Sequence, residues 1–289
     1  MKSSPSDLVD AIERARPRLG RLASTLLAFE SVESTNDVAL ERTATRRSAG
    51  LPRRSGDLSR RSGEATEAEA AKAEGLVVVA DQQTSGRGRR GRSWFSPPGS
   101  GLYVSVVLAP ATSRVDPARA TMLTTISAGV ALAEGVAAAT GLHVDLKWPN
   151  DLYVSRRKLA GILAEGAPDD AVVLGYGVNV QATAFPPELG DRATSLESEL
   201  GRAVDRPTVL VETLAALSRR YEDLLAGRFD AILDAWRRHA PAASGARVSW
   251  ATNAGTQSGI TAGVDETGAL LVRTADRVER IVAGEVIWL

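Results

Sequence analysis

The 289-residue chain has no cysteine. That excludes a disulfide framework, a thiolate metal site and a cysteine nucleophile. Its two histidines, His143 and His239, lie far apart in sequence, so a histidine-rich zinc centre is not expected. Neither charge is in surplus: 35 Lys+Arg stand against 35 Asp+Glu. A general nucleic-acid or anionic-membrane binder needs a basic excess, so neither DNA nor a membrane is an expected partner. The first ten residues lack the apolar core of a signal peptide, and no apolar run approaches membrane-spanning length. A cytoplasmic location is expected. Lysine is the most uneven scarcity: only Lys2, Lys72, Lys147 and Lys158 occur, against 31 arginines. Two of those four lie eleven positions apart.

What is present reads as a folded chain, with 44% apolar and 24% charged residues. Asp116-Pro117, a periodic apolar run and Gly141 predict a helix with cap, first-turn proline and glycine stop. A second helical pattern runs from Pro207-Thr208 to Leu225. β-Branched runs predict strands at 76–80, 102–108, 144–148, 162–165 and 171–180. Several of these are too close together for helical crossovers, so an α+β fold with a mixed sheet is expected rather than a doubly wound one. After the small-residue break His239–Ala246, short strands split by Gly and Asp turns predict a small β-barrel. The expected division is an N-terminal helical extension (1–28), a main domain (29–242) and a C-terminal domain (243–289). Within the main domain, the Arg-rich then acidic stretch 42–74 reads as a flexible insertion, whether a solvated loop or a basic docking arm.

The densest chemistry is Gln82-Gln-Thr-Ser-Gly86-Arg-Gly88-Arg-Arg-Gly91-Arg92-Ser-Trp94. Its glycine spacing fits both a dinucleotide-binding turn and, with Arg for Lys, a P-loop. Both need a helix to start at the motif, and Ser96-Pro-Pro-Gly99 disfavours one. What remains is a mobile loop with four guanidiniums and three glycines in seven residues, suited to folding over phosphates.

Lys147-Trp-Pro-Asn-Asp151 and Lys158-Leu-Ala-Gly161 carry two of the four lysines. In a chain that otherwise uses arginine, lysine suggests a compact ammonium beside a reacting carboxylate or phosphate, the alternative being lysines at strand ends. Pro149 places Asn150 and Asp151 at a turn. In Glu33-Ser-Thr-Asn36, Ser34 or Thr35 can simply cap a helix. The same three small polar side chains also suit a neutral polar head group.

Taken together these motifs resemble the biotin protein ligases. Ser96-Pro-Pro-Gly99, Lys158-Leu-Ala-Gly-Ile-Leu163, Gly175-Tyr-Gly-Val-Asn-Val180, Gly263–Leu271 and Gly284-Glu-Val286 add to the likeness. The resemblance implies a catalytic domain like those of class II tRNA synthetases and a C-terminal SH3-like barrel. It implies a ligase that uses biotin, ATP and Mg²⁺ to make biotinyl-5′-AMP, then acylates one lysine of a biotin carboxyl carrier domain. By position, Ser34, Thr35, Asn36, Gln83, Arg87, Gly88, Arg89, Trp94 and Lys158 would bind biotin. Arg87, Arg89, Arg92, Lys147, Asn150, Asp151 and Asn179 would bind ATP, and Lys158, Arg89, Lys147 and Asp151 would serve catalysis. The metal would arrive with ATP rather than occupy a protein site. A monomer or weak homodimer without a DNA-binding domain is expected, since only about 28 residues precede the motifs. Tyr176 stands where the family usually has a smaller aliphatic residue. A lipoate–protein ligase and a non-catalytic biotin or nucleotide sensor are the rival readings.

Overall fold

A computed structural model describes residues 4–48, 73–252 and 255–289. Its main sheet is built by the apolar runs of the first two thirds of the chain. Strands β1 (Thr25–Val32), β2 (Leu76–Gln83), β3 (Gly101–Leu108), β4 (Asp145–Lys147), β5 (Asp151–Val154), β6 (Arg157–Gly166) and β7 (Val172–Asn179) join in the order β1-β2-β3-β7-β6-β5-β4. Only β1 and β2 pair in parallel; every other neighbour is antiparallel, so the sheet is mixed.

Strand alternation sends side chains to two faces. On one face Val77, Val79, Val104, Val106, Leu174, Tyr176 and Val178 join the larger core. The helices of that core are α1 (Pro5–Ala15), α3 (Pro117–Thr140), α5 (Arg206–Leu225) and α6 (Phe229–His239). α3 begins where the sequence predicts: Asp116 caps it by accepting the Arg119 amide, and Gly141 ends it with a left-handed φ of 79°. The opposite face is covered only in part. There Leu76, Val78, Val107 and Val173 pack under Ala39 of α2 (Thr35–Ser48). Beyond that patch the same face continues through Ser105, Gly175 and Gly177, where the side chains shrink. This is the floor of the site.

The short helix α4 (Leu196–Leu200) leads from the sheet to α5. From Ser244 the chain forms β8 (Ser244–Thr252), β9 (Gly255–Val264), β10 (Leu270–Arg273), β11 (Val278–Ile281) and β12 (Val286–Trp288), an antiparallel sheet ordered β11-β10-β9-β8-β12.

Some sequence expectations change. β1, β5 and β11 are strands that the apolar runs do not predict; β5 and β11 have only four residues each. In the expected N-terminal extension, Leu8 and Ile12 of α1 are buried in the larger core, and β1 starts at Thr25. The expected insertion, 42–74, lies largely outside the described residues, and its first part, to Ser48, continues α2.

Candidate functional site

A cavity of about 210 Å³ opens over the thinned part of the sheet. Glycine makes room for it. A Cβ on Gly175 would stand 2.1 Å from Asn36 Oδ1, and one on Gly177 would stand 2.4 Å from Trp94 Nε1. Gly161 pairs with Gly177 across β6 and β7, so the Trp94 indole lies on a floor of backbone.

The Gly-Arg segment closes on itself as a short hairpin. Arg87 bridges to Ser93, the Gly88 amide donates to Arg92 O at 2.7 Å, and the Trp94 amide donates to Gly86 O at 2.8 Å. No α-helix begins at the motif, in keeping with the rejected dinucleotide and P-loop readings. The hairpin delivers Arg87, Gly88, Arg89, Arg92 and Trp94 to the cavity wall.

One end of the cavity is neutral and polar. Ser34, Thr35 and Asn36 are buried there at the start of α2, beside Gln83 at the end of β2. The Thr35 amide and hydroxyl both donate to Gln83 Oε1, at 2.8 and 3.1 Å, and Gln83 Nε2 donates to Ser96 Oγ at 3.0 Å. The Thr35 hydroxyl is thus tied to Gln83 at the cavity edge. Ser105, missed by sequence reasoning, donates its hydroxyl to Asn36 Oδ1 at 2.5 Å, and its Oγ lies 2.8 Å from Thr35 Oγ1. Its signal was a lone hydroxyl inside the apolar run of β3.

The other end is cationic. Lys147 and Asp151 face each other across the β4–β5 hairpin, with Asn150 in its turn. Lys158 Nζ stands 2.7 Å from Asp151 Oδ1 and 5.4 Å over the Trp94 ring. That contact is an ion pair off hydrogen-bond alignment, so Asp151 Oδ1 keeps an unfilled acceptor direction. Arg89 donates to Asn150 Oδ1 at 3.0 Å, and Asn150 Nδ2 donates to Ile162 O at 2.7 Å.

Partnering separates these cations. Arg87 pairs with Glu165 and Asp37, while Arg92 and Arg90 pair with Glu285 from the C-terminal sheet. Among the described residues, Arg89 and Lys147 line the cavity with no carboxylate within 4.0 Å. Burial is the main force lowering the pKa of both, and for Lys147 the nearby Asp151 charge opposes it while Lys158 adds to it. Two desolvated cations that make no direct ion pair among the described residues, with Asp151 and Glu285 acting on both only from a distance, leave room for an anion at this end. Lys147 also lies 5.0 Å over the Tyr153 ring and 5.9 Å over that of Trp288.

Thirteen of the fourteen residues expected from sequence line this cavity; Asn179 does not. It is buried at the end of β7, where its Nδ2 donates to Thr194 O at 3.0 Å. Thr194 in turn donates its amide to the Lys158 carbonyl, so Asn179 steadies the strand that carries Lys158. Tyr176 points away from the cavity into the helix layer, where its hydroxyl lies 3.2 Å from Thr213 Oγ1. Glu165 and Glu285 were not anticipated. Glu165 was legible only as the third residue, after Gly161 and Leu163, on the cavity side of β6; Glu285 required the docking of the C-terminal sheet.

The sequence profile of the Biotin/lipoate A/B protein ligase family matches residues 63–179, and that of the Biotin protein ligase C terminal domain matches residues 243–288. The Biotin--[acetyl-CoA-carboxylase] ligase of Paracoccus denitrificans is 34% identical over 236 residues, 77% of this chain and 96% of that one. The Bifunctional ligase/repressor BirA of Bacillus subtilis is 36% identical over 219 residues, 74% of this chain. The match spans 66% of that longer relative. Among solved structures, the biotin protein ligase from Aquifex aeolicus in complex with biotin and ATP superposes with a TM-score of 0.67 at 27% identity, covering 92% of this chain and 99% of that one.

Proposed function

The chain belongs to the biotin protein ligase family, and from that premise we propose that it is an ATP-dependent ligase that makes biotinyl-5′-AMP and passes the biotinyl group to one lysine of a biotin carboxyl carrier domain. The observation that carries this reading is the union, in one cavity, of a neutral hydrogen-bonding end with an end holding two cations that make no direct ion pair among the described residues. Biotin's ureido ring suits the first, through Ser34, Thr35, Asn36 and Gln83. The triphosphate suits the second.

In the first step a biotin carboxylate oxygen attacks the α-phosphorus of MgATP, and the bond to pyrophosphate breaks. Two anions must approach, so the protein's task is neutralisation and positioning. Arg89 and Lys147 supply charge that no carboxylate of the described residues pairs with directly. Lys158, held between Asp151 and Trp94, is the cation this reading assigns to the meeting of the carboxylate and the α-phosphate. Arg92, Asn150 and Asp151 complete the nucleotide side, and Arg87 with Gly88 borders the biotin tail. In the second step the acceptor lysine's amine attacks the acyl carbon and AMP leaves. Neither step needs a protein nucleophile, which fits a chain without cysteine. Mg²⁺ enters as part of the nucleotide substrate.

The same proposal takes the main sheet with its helices as the catalytic domain of class II tRNA synthetase type, and the C-terminal sheet as an SH3-like barrel. It takes the enzyme as a cytoplasmic monomer or weak homodimer acting without DNA, a reading supported by the balanced charge. Among the described residues no helix is long and apolar enough to cross a membrane.

The test is exchange of pyrophosphate into ATP, run with biotin and with lipoate, followed by mass spectrometry of a carrier peptide. Exchange that depends on biotin, and a biotinyl adduct on one lysine, are expected. Exchange driven by lipoate would move the chain to the lipoate branch, and biotin binding without exchange would make it a sensor.

A further inference from the structure

Glu165 lies near the end of β6 behind the cavity wall, yet three elements meet on its carboxylate. Arg87 of the loop hairpin donates Nη1 to Oε1 at 2.9 Å and Nη2 to Oε2 at 2.7 Å, a two-pronged pair. Asn36, at the start of α2, donates Nδ2 to the same Oε2 at 2.7 Å. Asp37, the next residue of α2, takes Arg87 Nη2 at 2.7 Å.

This arrangement leaves the Asn36 carboxamide one orientation. An ionised carboxylate only accepts, so Glu165 demands the –NH₂ end. The oxygen end then accepts from Ser105 Oγ. Gly175 leaves the amide no slack on its third side, since even a methyl there would meet Oδ1 at 2.1 Å. The same carboxylate also fixes where Arg87 stands, because a guanidinium fork matches it in both position and plane. One side chain thus aligns the polar end of the cavity and the hairpin that borders the rest.

We propose that Glu165 is a positioning residue that ties recognition of the biotin head group at Asn36 to placement of the Gly-Arg hairpin through Arg87. It touches no substrate and acts through its two partners. The proposal rests on reading this cavity as the biotin and adenylate site. Glutamine at 165 would keep the shape but replace one acceptor oxygen by –NH₂, setting a donor against the donors of Arg87 or Asn36. The clasp would open while the strand remained.

The experiment uses the full chain and Glu165→Gln. Losing a charge-assisted hydrogen bond should raise the KM for biotin by roughly tenfold to a hundredfold. The KM for MgATP should rise less than that for biotin, through Arg89 and Arg92 of the same hairpin, and the melting temperature should stay near that of the parent protein. In the free protein, hydrogen–deuterium exchange of the 86–94 amides should quicken, because Gly88 and Trp94 are held only by the hairpin's own bonds. Unchanged biotin KM with unchanged loop exchange would overturn the proposal. So would a fall in kcat and melting temperature at constant biotin KM, the signature of a merely structural residue. If the parent protein shows no biotin-dependent pyrophosphate exchange, the ligase reading fails separately. Loop exchange then decides the clasp alone: faster in Glu165→Gln supports it, unchanged removes it.

Discussion

At the scale of single residues, the scarcity of lysine is best understood through Lys147 and Lys158. Lys158 is confined: its ammonium faces Asp151, lies over the Trp94 ring and stands 3.2 Å from where a Cβ on Gly161 would be. A planar guanidinium has no equivalent place there. Lys158→Ala and Lys158→Arg should therefore both slow pyrophosphate exchange, each by about a hundredfold, as for removal of one preorganised charge. Near-normal exchange by Lys158→Arg would refute the compact-ammonium argument. Lys147 carries a pH prediction instead. Burial lowers its pKa from 10.5, so it sheds its proton at lower pH than a free lysine. A phosphate binds the protonated form and thereby raises that pKa. The KM for MgATP should stay level in the neutral range and climb as pH rises through the depressed value, below 10.5. Tyr153, pushed up to about 12 by burial, stays neutral over that range. Steady-state KM measured against pH should show the climb, and Lys147→Arg should flatten it.

At the scale of elements, β7 gives its two faces different tasks. Leu174, Tyr176 and Val178 fill the helix-side core, while Gly175 and Gly177 clear the opposite face for Asn36 and Trp94. A strand normally loses packing by carrying glycine. Here the missing side chains are the cavity. Gly175→Ala should cost about 1–3 kcal/mol through overpacking. It should also raise the biotin KM more than the MgATP KM, because the displaced group is Asn36 rather than any member of the cationic end. Denaturant unfolding and the two KM values check this, and an equal rise in both would argue against separate ends. The hairpin at 86–92 and the hairpin joining β4 to β5 meet at Arg89 and Asn150, so the nucleotide side is made by two turns. Turns of this kind are placed by the sheet beneath them, not by their own composition.

At the scale of the whole molecule, the C-terminal sheet is part of the site. Glu285 reaches Arg92 and Arg90, and Val286 joins the cavity wall. The sheet is anchored below that contact by the buried Trp148, whose Nε1 donates to Gly268 O at 2.9 Å. Gly268 turns with a φ of 82° against Ile126 and Leu123 of α3. Trp148 follows Lys147 directly, so the bond that docks the sheet also holds the chain beside a cavity lysine. Trp148→Phe leaves the Gly268 carbonyl without its donor and should cost about 1–3 kcal/mol of stability. It should also weaken MgATP binding more than biotin binding. Calorimetric titration of both ligands would test this, and equal loss for the two would separate docking from the nucleotide side.

Much of this was legible in the chain itself. Helix α3 is written in Asp116, Pro117 and Gly141, and the apolar runs state which strands are buried, because caps and alternation act over a few residues. The Gly-Arg hairpin and the Lys-Trp-Pro-Asn-Asp turn were legible as chemistry for the same reason: their donors and charges are local. Asn179 shows the limit. It looked like a ligand by its neighbours in sequence, but strand register turned its amide toward Thr194. Glu165, Ser105 and Glu285 could not be assigned from sequence, since each gains its meaning from a partner on another element. The lack of cysteine and the balanced charge by themselves excluded a thiol nucleophile, a thiolate metal site and a generally basic binder. Which cavity cations make no direct ion pair among the described residues, Arg89 and Lys147, only the tertiary structure decided, because pairing depends on distances that sheet packing alone sets.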